Sequence, residues 1–191
     1  MIIVKDRGTA QAWTVYHASL GATKELRLNA TSAAGTSSTR WQDTTPTSTV
    51  FSIGTEAAVN GSSVNFIAYC FAEKQGYSKF GSYTGNGSAD GTFVHTGFKP
   101  SFVLGKRTDS AGGWWILDSK RPGFNLTDEY LLANDAQVEA SDGSFASDFL
   151  ANGWKARATN GNFNASGGTY IYMAFSENPF TSSAGTPVTA R

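Results

Sequence analysis

Lys5 and Lys106 occupy matching places in two stretches of this chain, 101 positions apart (106 − 5 = 101), and Glu73 and Glu177 match at an offset of 104 (177 − 73 = 104). A carboxylate kept at both places offers a general acid, a general base or a metal ligand. A lysine and a glutamate on neighbouring strands form instead a cross-strand ion pair, worth ~0.2–1 kcal/mol. The structural arrangement is expected, Lys5 with Glu73 and Lys106 with Glu177, because catalysis seldom needs its residues twice in one chain. Asp118, Asp128, Glu129, Asp135, Glu139 and Asp142 could supply the two carboxyls that glycoside hydrolysis needs at ~5–9.5 Å. No pattern singles out a pair among them, and they read as solvated loop acids. Cys70, the one cysteine, would need a base to act as a nucleophile; only His17 and His95 exist, and neither is duplicated. It sits in the apolar run 66–71, where a small buried core residue is expected. A lone cysteine also excludes an intrachain disulfide and a cysteine-cluster zinc site. Gly-x-Ser-x-Gly, His-Glu-x-x-His and Walker patterns are missing, and the acidic loops at 109–112 and 125–129 do not follow EF-hand spacing. No enzyme, cofactor or metal is expected.

Trp41 and Trp115 are the candidates for ligand binding. Trp13 and Trp114 match at the 101-residue offset and read as core anchors. Trp115 falls on Thr14. Trp114 and Trp115 point to opposite faces of one strand, so one of them is expected outward, as a platform for a sugar ring or a protein neighbour. Trp41 lies in a Ser/Thr-rich stretch that suits the same role.

The elements that must position these residues are strands. Alternation marks 13–17, 25–29, 50–53 and 91–95, and the longer apolar runs 64–72 and 169–176 read as central strands buried on both faces. Gly, Ser, Asn, Asp and Pro clusters punctuate them, and no long stretch carries a helical period. Two segments carry the duplication. Ile2–Tyr16 falls on Val103–Leu117, and Asn60-Gly61-Ser62…Phe71-Ala72-Glu73 falls on Asn164-Ala165-Ser166…Phe175-Ser176-Glu177. A period near 100 is a whole small domain. The expected fold is all-β, two tandem pseudo-repeats of an antiparallel β-sandwich: residues 1–79 as a first repeat lacking its leading strands, 80–180 as the second, and 181–191 as a tail. The segment 80–100 reads as a hairpin or two facing strands leading into the second copy. Nothing equivalent leads into the first, so an exposed sheet edge is expected there, to be covered by another chain, a further N-terminal region or the tail.

Composition narrows the class. Charged residues make up only 16% of the chain against a usual ~25%, so the surface is covered by Ser, Thr, Asn, Gln and Gly. Net charge is zero and no basic stripe stands out, which argues against nucleic acid as a partner. No apolar run is long enough to cross a membrane as a helix, and no signal peptide is visible.

The stretches 66–73, 78–87, 96–100 and 170–180 together resemble a repeated domain of uncharacterised function found in structural, tail-fibre-like proteins of tailed, mostly marine, bacteriophages. The resemblance covers nearly the whole chain, including 13–20 and 26–29. It implies a non-enzymatic virion module, a tail-fibre or appendage domain that binds host-surface glycans or contacts other virion proteins. A capsid decoration protein is the alternative, and a polysaccharide-degrading module a third. The resemblance further implies location in the virion and a homo-oligomer, a trimer by preference. It supplies no catalytic residues.

Overall fold

The computed structural model describes residues 1–177. The expected tail, 181–191, and the last three residues of the expected second repeat lie outside them. The chain divides into two compact units, Met1–Phe71 and a second that begins at Ala72. Both are all-β.

In the first unit the β-branched run at the N-terminus forms β1 (Ile2–Asp6), followed by β2 (Thr14–Tyr16), β3 (Lys24–Arg27) and β4 (Gly35–Thr36). Two single-turn helices come next, α1 (Ser38–Trp41), ended by Gln42 in the left-handed conformation, and α2 (Ala57–Asn60); β5 (Phe66–Cys70) closes the unit. The five strands make one antiparallel sheet in the order β4-β3-β2-β1-β5. The stretch 50–53, expected as a strand, is irregular. The core gathers Ile2, Val4, Tyr16, Trp41 and Val59 on one face of the sheet.

The second unit holds β6 (Ser78–Thr84), β7 (Phe93–His95), β8 (Pro100–Arg107), β9 (Trp114–Asp118), β10 (Tyr130–Leu132), β11 (Ser147–Leu150), β12 (Gly153–Ala156), α3 (Gly161–Asn164) and β13 (Thr169–Ser176). Five strands form a sheet in the order β10-β9-β8-β13-β6, and three more form β11-β12-β7. The segment leading into this copy therefore contributes a strand to each of two sheets rather than a hairpin. An aromatic core that includes Trp115, Trp154, Phe163, Tyr170 and Tyr172 fills the unit. Among the described residues all three sheets are open and antiparallel, as a sandwich requires.

The duplication is visible residue by residue. Ile3 pairs with Tyr69 on one side and Val15 on the other. At the same offsets Leu104 pairs with Met173 and Ile116. The next strand continues the match, since Val15 meets Leu26 and Ile116 meets Leu131. Thus β1, β2, β3 and β5 correspond to β8, β9, β10 and β13.

One difference decides the character of the first unit. β13 is flanked by β8 and β6, whereas β5 has β1 on one side and ends its sheet. The run 64–72 is therefore an edge strand, not the central strand its composition suggests. Four of the five residues of β5 are exposed, against one of the eight in β13. Cys70 is exposed as a result, while its counterpart Ala174 is fully buried. The edge expected from the sequence is present.

Candidate functional site

Neither tryptophan expected to bind ligand is available for it. Trp41 is 1% exposed, packed edge-on against Tyr16 at 5.8 Å, and Trp115 is 0% exposed, with Phe163 at 4.9 Å and Trp154 at 5.8 Å around it. Trp114 and Trp115, adjacent in β9, take opposite faces of the strand. Both faces of β9 are buried at that point, so neither ring is outward.

The expected Lys–Glu pairs are not made either. Lys5 stands opposite Ile67 and Lys106 opposite Ile171, six residues short of Glu73 and Glu177 in each case (73 − 67 = 177 − 171 = 6). Along β13 six residues span roughly 20 Å at ~3.3 Å each. Glu73 instead holds Lys79 at 3.0 Å and accepts from the Phe80 N–H at 3.2 Å, and Glu177 pairs with Lys120. The lysines have a different common task. Each ammonium donates to the carbonyl of the next residue, Lys5 to Asp6 at 2.5 Å and Lys106 to Arg107 at 2.7 Å, which pins the turn that leaves the strand.

Five of the six acids that could serve glycoside chemistry, Asp118, Asp128, Asp135, Glu139 and Asp142, are engaged locally. Arg121 lies between Asp118 and Glu139 and pairs with both. Asp128 accepts from the Ser141 hydroxyl at 3.1 Å, and Asp142 from the Ser144 N–H at 2.9 Å. Among the described residues no cluster of three or more His, Cys, Asp or Glu could hold a metal ion. A hollow of about 680 Å³ is lined by Glu73, Lys74, Lys79 and His95 among others; its acid, Glu73, is already bound to Lys79.

An open groove of about 520 Å³ in the first unit has a different lining: Lys5, Asp6, Arg7, Trp13, Ile67 and Tyr69, with the intervening turn. Trp13 and Tyr69 stack with ring centres 6.3 Å apart and planes 21° apart. Trp13 is half-buried and Tyr69 is 42% exposed, so part of the stacked pair is open to solvent. The Asp6 carboxylate closes the turn, accepting from Gly8 N–H at 2.7 Å, Thr9 N–H at 3.0 Å and the Thr9 hydroxyl. The Thr9 hydroxyl, more than any other contact, holds its pKa below the ordinary carboxylate value. Paired ring faces beside a lysine and an arginine can stack on the C–H face of a sugar or on another ring while the cations meet hydroxyl or anionic groups. In the second unit the matching positions hold Lys106, Thr108, Trp114, Ile171 and Met173, all buried and without a second ring. Of the matched pair Trp13 and Trp114, both expected as core anchors, only Trp114 is fully buried.

A family model described as Domain of unknown function (DUF7483) matches residues 1–179. The chain belongs to the DUF7483 family. The matched span of this DUF7483 chain takes in both β units, the groove and the open edge of β5. No curated protein and no solved structure matches the chain.

Two asparagines complete the correspondence inside the DUF7483 chain. Asn60 ends α2 and its amide donates to the carbonyl of Gly54 at 3.0 Å; Asn164 ends α3 and donates to Ala158 at 3.0 Å, again six residues back (60 − 54 = 164 − 158 = 6). Their surroundings differ. Asn164 is 0% exposed because the turn after β6 closes over it: it accepts from Asn86 N–H at 3.0 Å and donates to Asn86 Oδ1 at 3.1 Å and Ser88 O at 2.8 Å. Asn60 is exposed. A second pair escaped the sequence reading. Asn29 accepts from the Trp13 N–H at 3.0 Å and Asn134 from the Trp114 N–H at 2.6 Å. The signal was there, as Leu26…Asn29 falls on Leu131…Asn134 at an offset of 105 (134 − 29 = 105).

Proposed function

We propose that this chain is a non-enzymatic structural module of a bacteriophage virion, carried in a tail fibre or similar appendage, where it contacts host-surface glycans or neighbouring virion proteins. The Trp13–Tyr69 groove carries this reading. Two stacked, partly exposed rings next to Lys5 and Arg7 form a contact surface, whereas the residues that match Lys5, Trp13 and Ile67 in the second unit are buried. The sparsely charged surface and the resemblance of 66–73, 78–87, 96–100 and 170–180 to phage structural domains support it. Asp118, Asp128, Asp135, Glu139 and Asp142, each tied to a local partner, favour binding over hydrolysis.

Electron cryomicroscopy of the source particle tests the setting. Density at the tail periphery in multiples of three supports the appendage reading. Density on the capsid lattice replaces it with a head-decoration role, and absence from the particle overturns both. A glycan array tests the site: Trp13→Ala and Tyr69→Ala are expected to abolish binding with the melting temperature little changed. Binding that survives both substitutions rules the groove out.

A further inference from the structure

We propose that the open edge of β5 is an acceptor for an antiparallel strand donated by a neighbouring protein, a strand with the residue pattern of β6 and the turn after it. The second unit supplies the template. There β6 pairs with β13 over seven residues, from Ser78 opposite Phe175 to Thr84 opposite Thr169. β5 corresponds to β13, and among the described residues no strand does for β5 what β6 does for β13. Hydrogen bonds fix which groups are on offer. Phe71 N–H donates to Met1 O and Arg7 N–H to Asn65 O. By the alternation of an antiparallel ladder, Phe66, Ala68 and Cys70 therefore turn their N–H and C=O groups away from β1. Their counterparts Tyr170, Tyr172 and Ala174 face β6.

A second feature, away from the edge, points to the same occupant. The turn that follows β6 is what covers Asn164, and Asn60, the counterpart of Asn164, is exposed. One continuous segment would fill both places, with its strand on β5 and its Asn-Gly-Ser turn on Asn60. An unrelated strand would satisfy the edge alone. The template also fixes the register: an aromatic residue opposite Phe66, a small residue opposite Ala68 and an aromatic residue opposite Tyr69, as Tyr83, Gly81 and Phe80 stand in the second unit. Main-chain pairing supplies the affinity in such strand addition, and the side-chain pockets supply the choice of partner.

The test uses the full chain and a synthetic peptide with the sequence of residues 77–92. One peptide is expected to bind per chain. Amide exchange at Ala68 and Cys70 slows at least about tenfold, and alkylation of the Cys70 thiol slows in step. A peptide carrying Gly81→Pro lacks the N–H that meets the Ala68 carbonyl and has no effect. Asn60→Ala weakens the parent peptide by about tenfold and leaves a shorter peptide, 77–85, unaffected. Trp13→Ala leaves peptide uptake in place, so a failure of the glycan reading is distinguishable from a failure here. The inference is overturned if the parent peptide gives no protection, or if the proline peptide protects equally. Protection of Ala68 and Cys70 in the free chain also overturns it, because the edge is then covered by the chain itself or by a second copy.

Discussion

Trp115 packs on the backbone of Gly105, its direct partner across the β8–β9 ladder; a Cβ on Gly105 would overlap the indole ring. The pair belongs to a row that crosses four strands. Gly81, Tyr172, Gly105 and Trp115 stand side by side on β6, β13, β8 and β9, and Gly81 makes the same room for Tyr172 that Gly105 makes for Trp115. The corresponding row in the first unit is Ala68, Val4 and Thr14. Large and small alternate in one copy and medium sizes fill the other, within the same ladder.

Exchanging that volume between the two strands is expected to be tolerated only as a pair. Gly105→Val alone forces the ring out of the core and costs about 3 kcal/mol or more; Trp115→Thr alone leaves a cavity and costs about 3–5 kcal/mol. The double variant rebuilds the Val4–Thr14 pair of the first unit. Denaturant unfolding should give a favourable coupling of about 1–3 kcal/mol. Strict additivity would mean that the two residues do not share one space.

Thr14, in the place of Trp115, meets a buried ionic cluster instead. Arg40 is 4% exposed; it donates to the Thr14 hydroxyl at 3.0 Å and pairs with Glu25 at 3.6 Å and Glu56 at 3.4 Å. Arg40→Ala leaves the Glu25 carboxylate buried and under-paired, and should cost about 3–5 kcal/mol. Removing Glu25 as well should restore part of that loss, as read from melting of the single and double variants. A double variant no better than Arg40→Ala would locate the cost in lost packing rather than stranded charge.

Burial holds the Lys106 ammonium down at about 8 against its ordinary 10.5, with Arg107 adding to the shift. Between pH 8 and 10.5 the unfolded chain keeps a proton on this lysine that the folded chain has lost, so stability climbs with pH across that window. Below it both states are charged and the cost of burying the charge is fully felt. The ceiling is about 3 kcal/mol at ~1.36 per pKa unit. The stability difference between wild type and Lys106→Met should therefore move in favour of the wild type as pH rises through the window. A flat difference from pH 7 to 11 would mean a lysine that titrates alike in both states.

The two helix-ending asparagines should differ in weight. Asn164→Ala takes the donor from the buried Ala158 carbonyl and breaks three further bonds, to Asn86 and to Ser88, at ~1–3 kcal/mol for a buried group left without a partner. Asn60→Ala removes one bond at an exposed site and should cost about 1 kcal/mol or less. Urea titration of both variants reads the contrast, and equal losses would mean that burial of Asn164 adds nothing.

The fold was legible in this sequence wherever the backbone dictates the residue. The two offsets that align Ile2–Tyr16 and Asn60–Glu73 with their second copies reproduce the strand pairing residue for residue. The open edge followed from counting segments. What failed were inferences about neighbours. Cys70 and Ala174 sit in runs of similar apolarity, and only the presence of β6 beside β13 separates an exposed thiol from a buried methyl. Trp114 and Trp115 alternate as strand geometry requires, yet alternation does not say whether one face or both will be covered. Lys and Glu recurred together because each copy repeats, not because they touch: an antiparallel register sets them at opposite ends of the ladder.

Three pairs of side chains that kept both identity and role across the copies, Lys5/Lys106, Asn60/Asn164 and Asn29/Asn134, bond to main-chain atoms. A peptide group cannot mutate, so a residue that serves one has no partner able to drift in compensation. Trp115 over Gly105 and Thr14 beside Val4 show the opposite case, where both members change and the shared volume persists. A side chain bound to the main chain is therefore held by a partner that every substitution leaves in place, whereas the pair at Gly105 and Trp115 answers only to a volume that two residues can divide in more than one way.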